Sequence, residues 1–90
     1  PCYRTVAETR TRYGELVAQY PGLAGIVDIG DSWERTANIP GGGRDLEVLR
    51  LTNAAITGDK PKLFVMTAVQ AREYTTAELS LRFAEWLLDN

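Results

Sequence analysis

Apolar residues recur at helical spacing from Thr5 to Tyr20, where Val6, Tyr13, Leu16, Val17 and Tyr20 alternate with Glu8, Arg10, Arg12 and Glu15. That period predicts an amphipathic helix. Thr5 followed three residues on by Glu8 reads as a capping box, and Pro21-Gly22 as the stop. Gly14 inside the helix costs up to about 1 kcal/mol against Ala. Ile26 to Trp33 then reads as a strand, bounded by Gly25 and by charged residues. Ile39 to Arg44 holds Pro40 and three consecutive glycines and reads as a flexible loop. "DLEVLRLTN", Asp45 to Asn53, predicts a second strand. Val48 and Leu49 break its alternation, so either a bulge intervenes or both faces are partly covered. The two strands are neighbours in sequence, which makes antiparallel pairing the default.

Thr57 to Lys62 carries Gly and Pro punctuation and reads as a turn. Leu63 to Val69, "LFVMTAV", is a continuous apolar run of strand length and predicts a central strand covered on both faces. Thr75 to Leu88 predicts a second long helix, with Thr75 and Glu78 in capping-box positions. Its stripe of Ala77, Leu81, Ala84, Leu87 and Leu88 is broadened by Leu79, Phe83 and Trp86, too wide for a helix lying on one neighbour. The order α-β-β-β-α gives an α/β fold with a small mixed sheet. A strand buried on both faces and so apolar a helix ask for more protein than two helices supply. The chain is therefore expected either to oligomerise or to be the first portion of a larger sheet domain.

Ninety residues suit one small domain or part of a larger one. A net charge of -2, with scattered arginines, argues against nucleic acid as a partner, because phosphate neutralisation needs clustered cations. No apolar run approaches the roughly 20 residues of a membrane span, so no membrane partner is expected. Cys2 is the single cysteine, which excludes an intrachain disulfide and reads as an unpaired thiol, with an intermolecular bridge as the alternative. A chain beginning at Pro1 rather than Met is expected to have been cut or bounded there, which leaves room for a removed signal peptide. The absence of histidine narrows the chemistry most. Usual zinc sites draw on His and Cys, and the common nucleophilic triads and general bases use imidazole. Catalysis from this chain alone would have to run on carboxylates, Lys or Tyr.

One segment stands apart. An Arg-Glu pair lies where the most apolar run gives way to the last helix, in Gln70-Ala71-Arg72-Glu73-Tyr74-Thr75. This stretch resembles the first metal motif of the zinc carboxypeptidases, the carboxypeptidase A and T type of exopeptidase. In that family a strand leads into His-Ala-Arg-Glu and then a helix. The likeness extends through "YPGLAGIVDIGDSWE" (Tyr20 to Glu34), "LEVLRLTN", "PKLFVMTAV" and "FAEWLLDN", nearly the whole chain. It implies the first portion of an α/β/α sandwich and hydrolysis of C-terminal residues from a peptide substrate. It also implies zinc as cofactor, Glu73 at a metal-ligand position and Arg72 at a substrate-binding position. A secreted or periplasmic location is compatible with it, although the compartment itself stays unread.

Two departures qualify what the resemblance implies. The loop between Glu34 and Arg44 is longer and richer in glycine than the family's tight turn. Gln70 occupies the position of the family's first His ligand, whether as a natural loss, an engineered change or a residue of no consequence. The second His, the general-base Glu, the carboxylate-binding Arg and the gating Tyr of the family fall beyond Asn90. Gln offers a neutral amide oxygen, a poor partner for a borderline-soft ion, while a catalytic zinc site takes three protein ligands. No tight zinc binding, no catalytic residue and no peptidase activity are expected from this chain by itself. The alternative is a non-catalytic, self-associating or protein-binding domain derived from the same scaffold, a homo-oligomer if the chain is complete.

Other features have plainer expectations. Trp33 and Tyr74 are expected to pack rather than line a cleft. "PGGGR" lacks the Lys-Ser/Thr of a phosphate loop. Asp28, Asp31 and Asp45 lack calcium-loop spacing and are expected to be solvated.

Overall fold

The computed structural model describes Tyr3–Gln70 and Arg72–Asn90. Pro1, Cys2 and Ala71 lie outside the described residues, and with them the expectations for the Cys2 thiol and the middle of the Gln70–Glu73 motif.

The chain folds as a mixed α/β unit with a two-stranded antiparallel sheet and helices at both ends. Helix α1 spans Val6–Gln19. Its capping box forms as the sequence predicts. Thr5 Oγ1 accepts from Glu8 N at 3.1 Å, and Glu8 Oε1 accepts from Thr5 N at 2.8 Å. Strand β1 (Ala24–Asp31) pairs with β2 (Asp45–Leu51), Ala24 opposite Leu51 and Ile26 opposite Leu49. A bulge does interrupt the ladder, but on the first strand: Asp28 faces Glu47 and Gly30 faces Leu46, leaving Ile29 over. Gly30 takes φ +148 there, and its N–H donates to Asp28 Oδ1 at 2.9 Å. Glycine makes that local twist cheap. Both Val48 and Leu49 are half-buried, so both faces of β2 are partly covered as well.

Between the strands the chain makes a short helical turn, α2 (Trp33–Thr36), and then the glycine loop. Ser32 clamps the base of this excursion, its N–H donating to Arg44 O and its Oγ accepting from Arg44 N, both at 2.8 Å. Gly43 sits at φ +93, and a Cβ there would meet the Arg35 backbone at 2.7 Å, so this position requires glycine.

The third predicted strand does not form. Residues 63–69 carry no strand structure, and Leu63, Phe64, Val65, Met66 and Val69 are exposed, Leu63 at 82%. An apolar run becomes a strand only when an adjacent backbone takes its ladder bonds and something covers its faces. The described residues supply neither. Local bonds hold its end instead: Thr67 Oγ1 lies 2.7 Å from Ser80 Oγ, and Ala68 N donates to Thr76 Oγ1 at 3.0 Å.

Helix α3 spans Tyr74–Asp89. Leu81, Ala84 and Leu88 of its stripe are buried, and Leu81 and Leu88 meet Leu16, which is 1% exposed. Tyr13, Tyr20, Leu23, Ala24, Leu49 and Leu51 close around them. The core therefore sits where both long helices meet one face of the hairpin. Ion pairs join the same elements at the rim, Arg12 to Glu85 at 2.8 Å and Arg10 to Glu47. The broad apolar surface of α3 is only half used. Leu79, Phe83, Trp86 and Leu87 remain exposed, with the Phe83 and Trp86 rings stacked at 6.4 Å between centroids.

Candidate functional site

Gln70, Arg72 and Glu73 lie on one exposed turn at the entrance to α3. The turn is closed twice. Glu73 N donates to Gln70 O at 3.1 Å, and Gln70 N donates to Glu73 Oε1 at 3.1 Å. Glu73 is the N-cap of α3, at φ -89 and ψ 58. Its carboxylate therefore folds back onto the chain that leads into the helix. Its carbonyl accepts from Thr76 Oγ1 at 3.0 Å, which fastens the turn to the first helical residues. A carboxylate at a helix N-terminus is favourably placed, because the unpaired N–H groups there carry partial positive charge. Arg72 makes no ion pair among the described residues.

The sequence places the start of α3 at Thr75 with Glu78 as its capping partner. The structure corrects this. The helix begins two residues earlier in its capping, at Glu73, and Thr75 and Glu78 both turn to the N-terminal segment instead. Thr75 Oγ1 donates to Tyr3 Oη at 3.0 Å. Glu78, 7% exposed, accepts from Arg4 N at 3.0 Å on one carboxylate oxygen and from the Arg4 guanidinium at 2.5 Å on the other. Arg82, one turn further along, adds a bond at 3.0 Å. The Arg4 backbone N–H, with the two guanidinium groups, holds the Glu78 carboxyl below its ordinary range despite burial. Arg4 and Tyr3 are the residues that sequence reasoning misses, since nothing in a local pattern connects positions 74 and 72 apart.

The donor set at the turn bears directly on metal binding. Residues 70–73 offer one carboxylate, already engaged by a backbone N–H, and one amide side chain. Zinc sites are built from imidazole, thiolate and carboxylate ligands, three or four at a time. The turn by itself does not meet that requirement. Among the described residues, Asp28, Asp31 and Asp45 bring carboxylate oxygens within 4.8 Å of one another. They are exposed or half-exposed, as expected from the sequence, and are already used in part. Asp28 accepts from Gly30 N, and Asp45 pairs with Arg35 at 3.2 Å. Trp33 and Tyr74 are both largely exposed, Trp33 at 73%, so neither packs as expected. A shallow groove lined by Leu23, Leu51, Leu87 and Leu88 lies at the far end of α3. At 1.5 Å of rise per residue, that is about 20 Å from Glu73.

Comparison with known proteins gives a consistent picture. Residues 11–90 match the family model described as zinc carboxypeptidase. A zinc carboxypeptidase of Saccharothrix mutabilis subsp. capreolus is 30% identical over 88 residues, covering 97% of this chain and 18% of that protein. Carboxypeptidase A2 of Mus musculus is 33% identical over 79 residues, and that of Rattus norvegicus 32%, each covering 88% of this chain and 16% of the relative. The chain thus spans less than a fifth of the length of these curated relatives. No solved structure gives a significant match.

Proposed function

The chain belongs to the zinc carboxypeptidase family, and from that membership we propose that the Gln70–Glu73 turn is the family's metal and substrate corner, inactive as it stands in this chain. The observation that carries this reading is the double closure of the turn at the start of α3, within the matched region, with Arg72 and Glu73 presented together. In this reading Glu73 is the metal-ligand position, Arg72 contacts the substrate peptide, and Gln70 stands where the family has its imidazole. Bound zinc would polarise the scissile carbonyl and activate water. What this chain contributes is narrower: a helix start that ties one carboxylate, Glu73, to Gln70 N, with an exposed Arg72 next to it in sequence. One carboxylate does not hold zinc tightly, so peptide hydrolysis is not expected from these 90 residues.

Two measurements test the reading. The purified chain with zinc is expected to release no C-terminal residue from a blocked dipeptide; zinc-dependent release would refute the inactivity. Gln70→His restores an imidazole three residues before Glu73 and is expected to tighten zinc binding by calorimetry, with Gln70→His/Glu73→Gln losing the gain. If Gln70→His binds zinc no better than the parent, positions 70 and 73 are not a metal corner.

A second reading rests on a different observation. The exposed run Leu63 to Val69 and the exposed Leu79, Phe83 and Trp86 form apolar surface that a carboxypeptidase-derived interaction domain would bury by self-association. Sedimentation at high micromolar concentration checks it, and a strict monomer would dispose of it.

A further inference from the structure

Thr75 and Glu78 have the spacing of a capping box, yet each is held by a residue of the N-terminal segment. Tyr3 Oη takes the Thr75 hydroxyl, and Arg4 takes both oxygens of Glu78 through its backbone N–H and guanidinium. With both members occupied, the helix starts at Tyr74 and is capped by Glu73, whose side chain makes no capping bond to the helix. The sequence thus encodes two competing starts for α3. One places the cap at Thr75, closed locally by Glu78, with Tyr74 outside the helix. The other places it at Glu73 and needs Tyr3 and Arg4.

We propose that the Tyr3–Arg4 strap is a catch that selects the start of α3, and that releasing it moves the N-cap from Glu73 to Thr75. The first helical bonds are the least supported in any helix, so a few hydrogen bonds decide between starts two residues apart. Glu78 is the shared element. Among the described residues its oxygens accept from Arg4 N, the Arg4 guanidinium and Arg82, and the capping bond to Thr75 N is not made. Arg82 remains beside it in either state, since four residues separate the two on one helix, and Glu85, 4.0 Å from Arg4, adds to the acidic surroundings that keep the strap seated. The functional consequence rests on the metal-corner reading above. A start at Thr75 would free Glu73 from the helix end and separate its carboxylate from Gln70 N, so the strap would act as a positioning device for Arg72 and Glu73.

The test does not depend on activity, so it stands or falls apart from that reading. Isotope-labelled full chain is compared with Arg4→Ala by NMR. The parent is expected to give Tyr74 a helical Cα shift. In Arg4→Ala that shift should fall to the coil value, Thr75 Cβ should move to the position typical of an N-cap, and protection of the Glu73 amide against exchange should drop at least tenfold. Both variants keep the backbone N–H that bonds Glu78, so the contrast lies in the side chain: Arg4→Lys, which keeps a charge beside Glu78, should retain most of the parent pattern. Arg4→Ala/Thr75→Val should lose the Tyr74 helical shift without any new cap at position 75. A Tyr74 that stays helical in Arg4→Ala overturns the proposal. So does a loss of dispersion throughout the Arg4→Ala and Arg4→Lys spectra, which would make the strap a general support rather than a selector.

Discussion

Leu16 is the residue through which the site helix is held, and replacing it by Ala should show how narrow the chain's stability margin is. It is the most buried of the described side chains and packs with Leu81 and Leu88 of α3. A Leu→Ala change at such a position removes transfer free energy and leaves a cavity, about 2–5 kcal/mol together. A 90-residue domain has about 5–13 kcal/mol in hand at ordinary per-residue values. With the buried apolar residues, among those described, reduced to Leu16, Leu81, Ala84 and Leu88, the lower end applies. The substitution should thus consume roughly half the stability. At 4–8 °C per kcal/mol for a domain of this size, a loss of about 3 kcal/mol lowers Tm by roughly 12–24 °C. Far-UV circular dichroism is the appropriate probe, because both tryptophans are already exposed and would report unfolding poorly. Leu79→Ala, on the exposed side of α3, is the control and should stay within about 0.5 kcal/mol. Leu16→Met, close to volume-conserving, should cost less than about 1.5 kcal/mol and keeps the comparison usable if Leu16→Ala does not fold. A loss below about 1 kcal/mol for Leu16→Ala, or an equal loss for Leu79→Ala, would show that the core is not where the packing places it.

Three further outcomes are expected. Glu78 is held below its ordinary value of 4.5, first by the Arg4 backbone N–H. A depressed carboxyl contributes stability that is present above the unfolded-state value and is lost as pH falls through the folded one. Urea titrations below about pH 4.5 should therefore show a steep acid limb that Glu78→Gln flattens, and an unchanged slope would contradict the buried pairing. Glycine replacements should diverge in sign. Gly14→Ala meets no atom within 4 Å inside α1 and should stabilise by up to about 1 kcal/mol, while Gly43→Ala forces a positive φ and a backbone clash with Arg35 and should destabilise by about 1–3 kcal/mol. Thermal melts of the two variants settle the comparison. Thr5→Ala removes the N-terminal cap of α1 and should cost about 1 kcal/mol, read in the same melts.

The first helix was legible because everything that starts and stops it lies within a few residues. Thr5 and Glu8 are three apart, and among the described residues their side chains bond only to each other's backbone. The antiparallel hairpin was legible for a similar reason, since neighbouring strands meet first. The position of its bulge was not, because Asp28 and Gly30 settle it by a side-chain bond and a glycine φ that alternation does not encode. Residues 70, 72 and 73 could be singled out from their motif, and the family match over residues 11–90 agrees with the resemblance. How those residues are presented is a different matter. The same four-residue pattern that capped α1 recurs at Thr75 and Glu78, and there it fails, because Tyr3 and Arg4 reach the pair from the other end of the chain. The run Leu63 to Val69 likewise has strand composition and no strand. Local pattern determines what a segment can become at the cost of its own backbone. Which option is taken depends on groups distant in sequence, since the Glu78 carboxylate is taken up by Arg4 and a strand needs a neighbour's hydrogen bonds.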